Sequence, residues 1–535
     1  MRLVVDPSIS TKIARMKERV RWQHPLMIQA GIDQTQVELA GEASELSQSG
    51  FSFLVVGDSG TSRHLRDRPQ RRIAKRLVEH ASDCEFILHT GDVVYLVGSS
   101  EQYPDNFIKP YREFLVGGED AHSIRFDNMT FSLPFLPVLG NHDYYDLPLI
   151  AGLLSKALYP IRRLLRKRIN LDVGWHGSFQ GEGFAKAFLD CVQSLSGRQL
   201  QAHLQRNYTG KSKTGRCLRY VPGEFTRLPN RYYAFRRGGI DFFALDSNTF
   251  NAPQPLPQTE EGQLRRAQME KLRDTLEGEM RSLNAESSTL NVEIPEQADR
   301  ASHLYAKMEQ IEEQLADIDK QLSVPQDDKN TLDTEQLDWL RDRLIASWQD
   351  PTARGRVLYF HHPPYVTEQT KWFQGQTLAV RAHLREVLDQ VQTAVGEYSR
   401  PLVDLVLSGH AHCFEYLRTL ETGHGDRAIP WVVCGGSGFS LRRQRKEGPV
   451  LKEYGQPVAE SHLFLGRSGH GSKTRRPYSA LRVDVRFEPK SCETDAPQPP
   501  QFVLKPLVCE RYQGEWKAYE SAPIDTQPST IDATS

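Results

Sequence analysis

Six short apolar runs punctuate the chain, and each ends in polar residues beside glycine or proline. They are "FSFLVVGDSG" from Phe51, "CEFILHTGD" from Cys84, "FLPVLGNHD" from Phe135, "GIDFFALDSN" from Gly239, "GRVLYFHHPP" from Gly355 and "VDLVLSGHAH" from Val403. Uninterrupted apolar runs of this length, closed by turn residues, predict buried strands that deliver polar side chains at their C-terminal tips. Between them "RRIAKRLVEHAS" and "TEQLDWLRDRL" read as helices. Alternating buried strands and helices predict a layered α/β core, in which ligands sit beyond the carboxyl ends of the strands. Asp58, Asp92, Asn141, His361 and the pair His410 and His412 fall at five of the six strand ends.

Other segments break this rhythm. Residues 1–50 are polar and partly helical, an N-terminal extension before the first strand. Residues 147–225 form a basic, partly helical insertion around "YPIRRLLRKRI". Residues 260–325 carry two heptad seams, Leu272, Leu276, Met280 and Leu283, then Leu304, Met308, Ile311, Leu315, Ile318 and Leu322, with Pro295 between them. That spacing predicts an antiparallel coiled-coil hairpin, each arm roughly 35–40 Å long at ~1.5 Å per residue. The hairpin is either a solvated insertion without a partner or an arm for homodimerisation or docking. The core then spans 51–440, a C-terminal extension packing on it spans 441–520, and 521–535 reads as a disordered tail.

Composition narrows the function. Lys and Arg (67) nearly balance Asp and Glu (68), which removes any global attraction to nucleic acid or anionic membrane. Seven scattered cysteines without a C-x-x-C pair read as reduced thiols. No run has the length of a membrane span, and the first twenty residues lack a signal-peptide core. The expectation is a cytoplasmic protein.

The donors at the strand tips are carboxylate, amide and imidazole, a set suited to iron, manganese or zinc. Taken singly, Asp58 or Asp92 could be a turn residue or a helix cap. A lone histidine is more often structural, and Tyr95 could be packing alone. Seven candidates together point to two metals with one shared carboxylate.

In order, "GDSG", "GDVVY", "GNHD", "FHHPPY" and "GHAH" resemble the calcineurin-like metallophosphoesterase superfamily over about residues 51–440. The resemblance implies a four-layer α/β/β/α sandwich with helical insertions and a dinuclear site. It places Asp58, Tyr95 and His412 on the first metal and Asn141, His361 and His410 on the second, with Asp92 bridging. His142 would contact phosphate and protonate the leaving oxygen, Asp143 would orient it, and His362 would either support the ligands from behind or face substrate. The common first block is Asp-x-His, but this chain has Gly60 where that histidine would stand. The combination of "GDSG" with "GDVVY" resembles purple acid phosphatases, in which the tyrosine is a ligand. A tyrosinate ligand implies iron(III) beside a divalent iron, manganese or zinc ion.

The implied function is hydrolysis of phosphomonoesters by a hydroxide carried on the dinuclear site. The alternatives are a phosphodiesterase for cyclic nucleotides or nucleotide derivatives, and a silent scaffold that kept the fold. The expected partner is a phosphate-ester substrate, with no nucleic acid.

Overall fold

The computed structural model describes residues 5–41, 50–60, 68–146, 179–290, 294–324, 332–396, 400–487 and 499–526. Two sheets lie face to face. The smaller runs from edge to edge as Glu515–Glu520, Gln501–Tyr512, Arg475–Arg486, Gly50–Val56, Cys84–His89 and Phe135–Pro137. The larger runs as Val450–Glu453, Gln456–Leu465, Phe414–Thr419, Pro430–Cys434, Leu405–Ser408, Gly355–Tyr359, Ile240–Ala244, Tyr233–Arg237, Ile32–Leu39, Gly215–Tyr220 and Gly210–Ser212. All six expected strands form. Near the site the pairing is parallel, as the buried runs require: Gly50–Val56 on Cys84–His89, that strand on Phe135–Pro137, and Gly355–Tyr359 on Leu405–Ser408.

Aromatic side chains join the sheets. Phe53 stacks on Phe86 in the smaller sheet with centroids 5.1 Å apart, and Phe235 on Phe242 in the larger at 4.7 Å. Phe86 meets Phe242 edge to face across the interface at 5.3 Å, a geometry in which the ring edge of one meets the face of the other. The helices Thr334–Gln349 and Gly375–Val395 cover the outer face of the larger sheet through Leu340, Leu344, Val380, Leu384 and Val391. Pro69–His80 covers the smaller sheet with Ile73, Ala74 and Leu77. The four layers are therefore helix, sheet, sheet and helix.

Two segments differ from expectation, and a third lies partly outside the described residues. Within the N-terminal extension Ile9–Arg19 is helical, but Ile32–Leu39 is a strand of the larger sheet, paired with Gly215–Tyr220. Its alternation is broken by Asp33 and Gln34, which hid it. Ile524 and Asp525, expected to be disordered, pair with Leu504 and Val503. "IRRLLRKRI" lies outside the described residues, whereas the described part of that insertion, from residue 179, contributes the helices Glu182–Phe188 and Gly197–Asn207.

The hairpin forms as the helices Glu260–Ser288 and Pro295–Ser323. Thr259 caps the first by accepting from Gly262 N at 3.2 Å, and Pro295 opens the second where a missing N–H costs nothing. Leu276, Leu283, Leu304, Met308, Ile311 and Ile318 pack between them. Ion pairs Glu286–Arg300, Glu279–Lys307 and Arg273–Asp319 rise in number on one helix as they fall along the other, so the helices run antiparallel. Neither sequence expectation, solvated arm or dimerisation arm, describes the second helix fully. Its polar face lies against the sandwich, through Glu313 on Lys371 and Arg442.

Candidate metal centre

The site lies where the C-terminal ends of both sheets meet. The smaller sheet supplies Asp58, Asp92 and Asn141, and the larger supplies His361, His410 and His412. Asp58, Asp92 and His410 all adopt left-handed backbone conformations, with φ of 50°, 56° and 64°. Such strain in non-glycine residues costs on the order of 1–3 kcal/mol each and concentrates at functional sites. It turns each side chain back over its strand tip.

Tyr95 sits at the middle. Its hydroxyl lies 2.9 Å from Asp58 Oδ1, 2.9 Å from Asp92 Oδ2 and 3.1 Å from His412 Nε2. Phe439 stacks on its ring at 4.0 Å. His412 Nε2 is 3.5 Å from Asp58 Oδ1, and its Nδ1 is held by Ser440 O at 3.1 Å. On the other side His361 Nε2 lies 3.3 Å from Asp92 Oδ2 and 2.9 Å from Asn141 Oδ1, while its Nδ1 donates to Thr90 O at 2.8 Å. That second contact leaves Nε2 turned toward the carboxylates, as a ligating imidazole requires. The backbone N–H of His410 donates to Asp58 Oδ2 at 2.9 Å. The seven expected metal-ligating residues thus gather in one buried cluster.

Asp143 takes a place other than the one expected, and His362 takes the supporting one of its two expected places. Asp143 does not orient His142. Its carboxylate accepts from the backbone N–H groups of Asp92 (3.0 Å), Val93 (3.2 Å) and Gly140 (2.9 Å), and so braces the strained turn at Asp92. His142 Nδ1 instead donates to Leu96 O at 2.6 Å, and its ring packs 4.3 Å from that of Tyr95. The backbone N–H of His142 donates to Asp92 Oδ1 at 2.8 Å. His362 is buried, with Nδ1 on Ser247 Oγ at 2.8 Å and Nε2 on Asn251 Nδ2 at 3.2 Å, so both its nitrogens are engaged within the protein. One of its nitrogens also lies within 4.8 Å of a nitrogen of His361 and one of His410.

Electrostatics favours a cation here. Burial, then the neighbouring Asp92, pushes the Asp58 carboxyl well up, while Asp92 stays well below the usual carboxylate range because His361 and His142 offset its burial. Burial opposes charge on His361, yet Asp92 and Asp58 hold it up to about 9. Burial and then Asp58 and Asp92 push the Tyr95 phenol well up, so a phenolate would form only against added positive charge. Two buried carboxylates, a phenol, an amide and imidazoles within reach of one another fit metal ions of the borderline-hard class. Asp58, Asp92 and His361 alone bring ligand atoms within 4.8 Å of one another.

Several neighbours carried no sequence signal. Lys371 Nζ lies 2.9 Å from His410 Nε2, and the backbone N–H of Arg442 donates to His412 O at 2.8 Å. Glu313, on the second hairpin helix, lies 3.0 Å from Lys371 and 3.2 Å from Arg442. Arg442 falls in the basic run after "GGSGFS", where only a solvated loop would be read.

Fold and donor set together define a metallophosphoesterase-like sandwich. Residues 51–189 match the family model described as calcineurin-like phosphoesterase. No curated protein matches the sequence. Among solved structures, the purple acid phosphatase PPD1 of yellow lupin is 12% identical with a TM-score of 0.41, over 89% of this chain and 54% of that one. The chain thus spans about half the length of that phosphatase. A structure titled PhoD is 12% identical with a TM-score of 0.38, over 91% of this chain and 73% of that one. GAP50, described as the anchor in the inner membrane complex of Plasmodium, is 12% identical with a TM-score of 0.36, over 88% of both chains. Among the described residues no helix is long and apolar enough to cross a membrane.

Proposed function

We propose that the chain is a metal-dependent phosphoesterase acting on phosphomonoesters, with two metal ions held by Asp58, Asp92, Tyr95, Asn141, His361, His410 and His412. The carrying observation is the position of Tyr95, whose hydroxyl touches both carboxylates and His412. Asp58, Tyr95 and His412 would hold one ion, Asn141, His361 and His410 the other, and Asp92 would be shared by both. A phenolate in the set selects iron(III) for the first position, with divalent iron, manganese or zinc in the second. When bound, such ions supply Lewis acidity toward phosphoryl oxygens and acidify water at neutral pH.

The rest of the chemistry belongs to the side chains. His142, fixed through Nδ1 to Leu96 O, keeps Nε2 for proton transfer to the leaving oxygen. Tyr95 and Tyr145 flank its ring, with centroids at 4.3 and 4.9 Å, and prevent it from turning. Asp143 acts as a positioning residue, since its three backbone contacts hold the Asp92 turn. The full donor set supports an active enzyme over a silent scaffold.

The test is metal analysis of purified protein with turnover of an aryl phosphate, a bis-aryl phosphate and cyclic nucleotides. Preferred turnover of the monoester supports the proposal. Preferred turnover of the diesters defeats the monoesterase assignment, and metal-loaded protein inert toward all of them defeats the enzyme.

A further inference from the structure

The second hairpin helix lays a row of polar side chains against residues that border the metal-ligand cluster. Its apolar seam faces the first hairpin helix, through Leu304, Met308, Ile311 and Ile318 against Leu276 and Leu283. The side facing the catalytic sandwich is joined to it by polar contacts. Ala306 O accepts from Arg442 Nη1 at 2.7 Å, and Gln310 Nε2 donates to Glu368 at 3.4 Å. Asp317 accepts from the backbone N–H groups of Gly375 at 2.8 Å and Gln376 at 3.1 Å, at the start of the helix Gly375–Val395. Lys320 reaches Asp6 at 3.5 Å.

Glu313 stands at the centre of this row. One carboxylate oxygen lies 3.0 Å from Lys371 Nζ and the other 3.2 Å from Arg442 Nη2. Both cations are buried, with side chains 2% and 4% exposed; the Lys371 ammonium lies on His410, and Arg442 is tied to the His412 segment through its backbone N–H. Glu309 comes within 3.8 Å of Arg442, and its Oε1 is buried without a hydrogen-bond partner. Two buried cations beside a phosphoesterase centre, bridged by one carboxylate from an inserted helix, form an anion-binding pair whose place is taken by a side chain of the protein itself.

We propose that Lys371 and Arg442 bind a phosphate group of the substrate at the mouth of the site, and that Glu313 occupies this position until substrate displaces it. The inference rests on the phosphoesterase reading above. An Arg and a Lys flanking one point offer charge-assisted hydrogen bonds to phosphate oxygens of the kind they make here to a carboxylate. Displacement is feasible because the hairpin keeps its own apolar seam, so what is exchanged is a set of ion pairs and hydrogen bonds. Substrate therefore competes with Glu313 for Lys371 and Arg442, and affinity for phosphate is lower than the two cations alone would give.

The test uses the full-length, metal-loaded protein, with inorganic phosphate as the probe. Phosphate affinity is read by calorimetry and as competitive inhibition of aryl phosphate turnover, and metal content is measured for each variant. Glu313→Gln is expected to tighten phosphate binding roughly tenfold and lower KM with little change in kcat, and Lys371→Met to weaken binding by a similar factor. Lys371→Arg is expected to restore most of that loss. Unchanged or weaker phosphate binding in Glu313→Gln, at equal metal content, overturns the proposal, as does unchanged binding in Lys371→Met. Because calorimetry reads binding without turnover, wild-type protein that binds phosphate but hydrolyses nothing overturns the enzyme assignment and leaves the cation pair standing.

Discussion

Gly60 and Tyr95 exclude one another's side chains. A Cβ at Gly60 would lie 2.7 Å from Tyr95 Cδ2 and 2.8 Å from Tyr95 N, closer than packed atoms come. The absent histidine of the first block and the tyrosine of the second therefore compete for one space. Gly60→Ala is expected to push the ring off Asp58 and Asp92 and cut turnover roughly ten- to hundredfold. Near-wild-type kinetics and metal content in that variant would show that Tyr95 has no role requiring its position.

If iron(III) meets the Tyr95 phenolate, oxidised protein carries a visible charge-transfer band. Tyr95→Phe is expected to abolish the band while protein remains folded by circular dichroism. Colourless, iron-loaded, oxidised wild-type protein rules the ligand out.

Asp92 lies between Tyr95 and His361 and also accepts from the His142 backbone N–H. Asp92→Asn keeps the shape but removes the charge. The expected result is loss of bound metal and of turnover, on the order of a thousandfold, or about 4 kcal/mol of transition-state stabilisation. Elemental analysis beside kinetics checks it, and full activity would sink the assignment.

Glu415 is buried, and burial pushes its carboxyl up from 4.5 to about 7 despite hydrogen bonds from Thr367 N and Oγ1. The folded protein therefore holds a proton that the unfolded chain releases near 4.5. Its contribution to stability is present below that value and is lost as pH rises through about 7. Glu415→Gln is expected to lose less stability than wild type across this window. Urea unfolding of both proteins at pH 5 and pH 8 measures the difference, and parallel curves would refute it.

Beneath the site, buried Arg231 joins Asp246 at 3.3 Å and also pairs with Asp333. Asp246 also accepts from Tyr144 OH at 2.8 Å, next to the turn bearing Asn141 and His142. Arg231→Met strands two buried carboxylates and is expected to cost about 3–5 kcal/mol of stability. A shift in the urea midpoint of less than a third of that would show that the aspartates find other partners.

The six strands and the donors at their tips were legible in the sequence because both properties are local. A buried strand is a continuous apolar run, and the residues after it must lie at the sheet's edge, so Asp58, Asp92 and Asn141 were placed by position, while the family resemblance chose His361 over His362. The hairpin was legible for the same reason, since a heptad seam repeats within one helix. What only the tertiary structure decided depends on contacts between distant segments. The strand Ile32–Leu39 takes its place from its neighbours in the larger sheet, because its own pattern is mixed. Asp143 sits beside His142 in sequence, but the amides of the Asp92 turn claim its carboxylate. Lys371, Arg442 and Glu313 lie in three separate segments with no shared motif. They meet because the second hairpin helix docks its polar face over the strand tips, and no periodicity records which surface a charged face will meet.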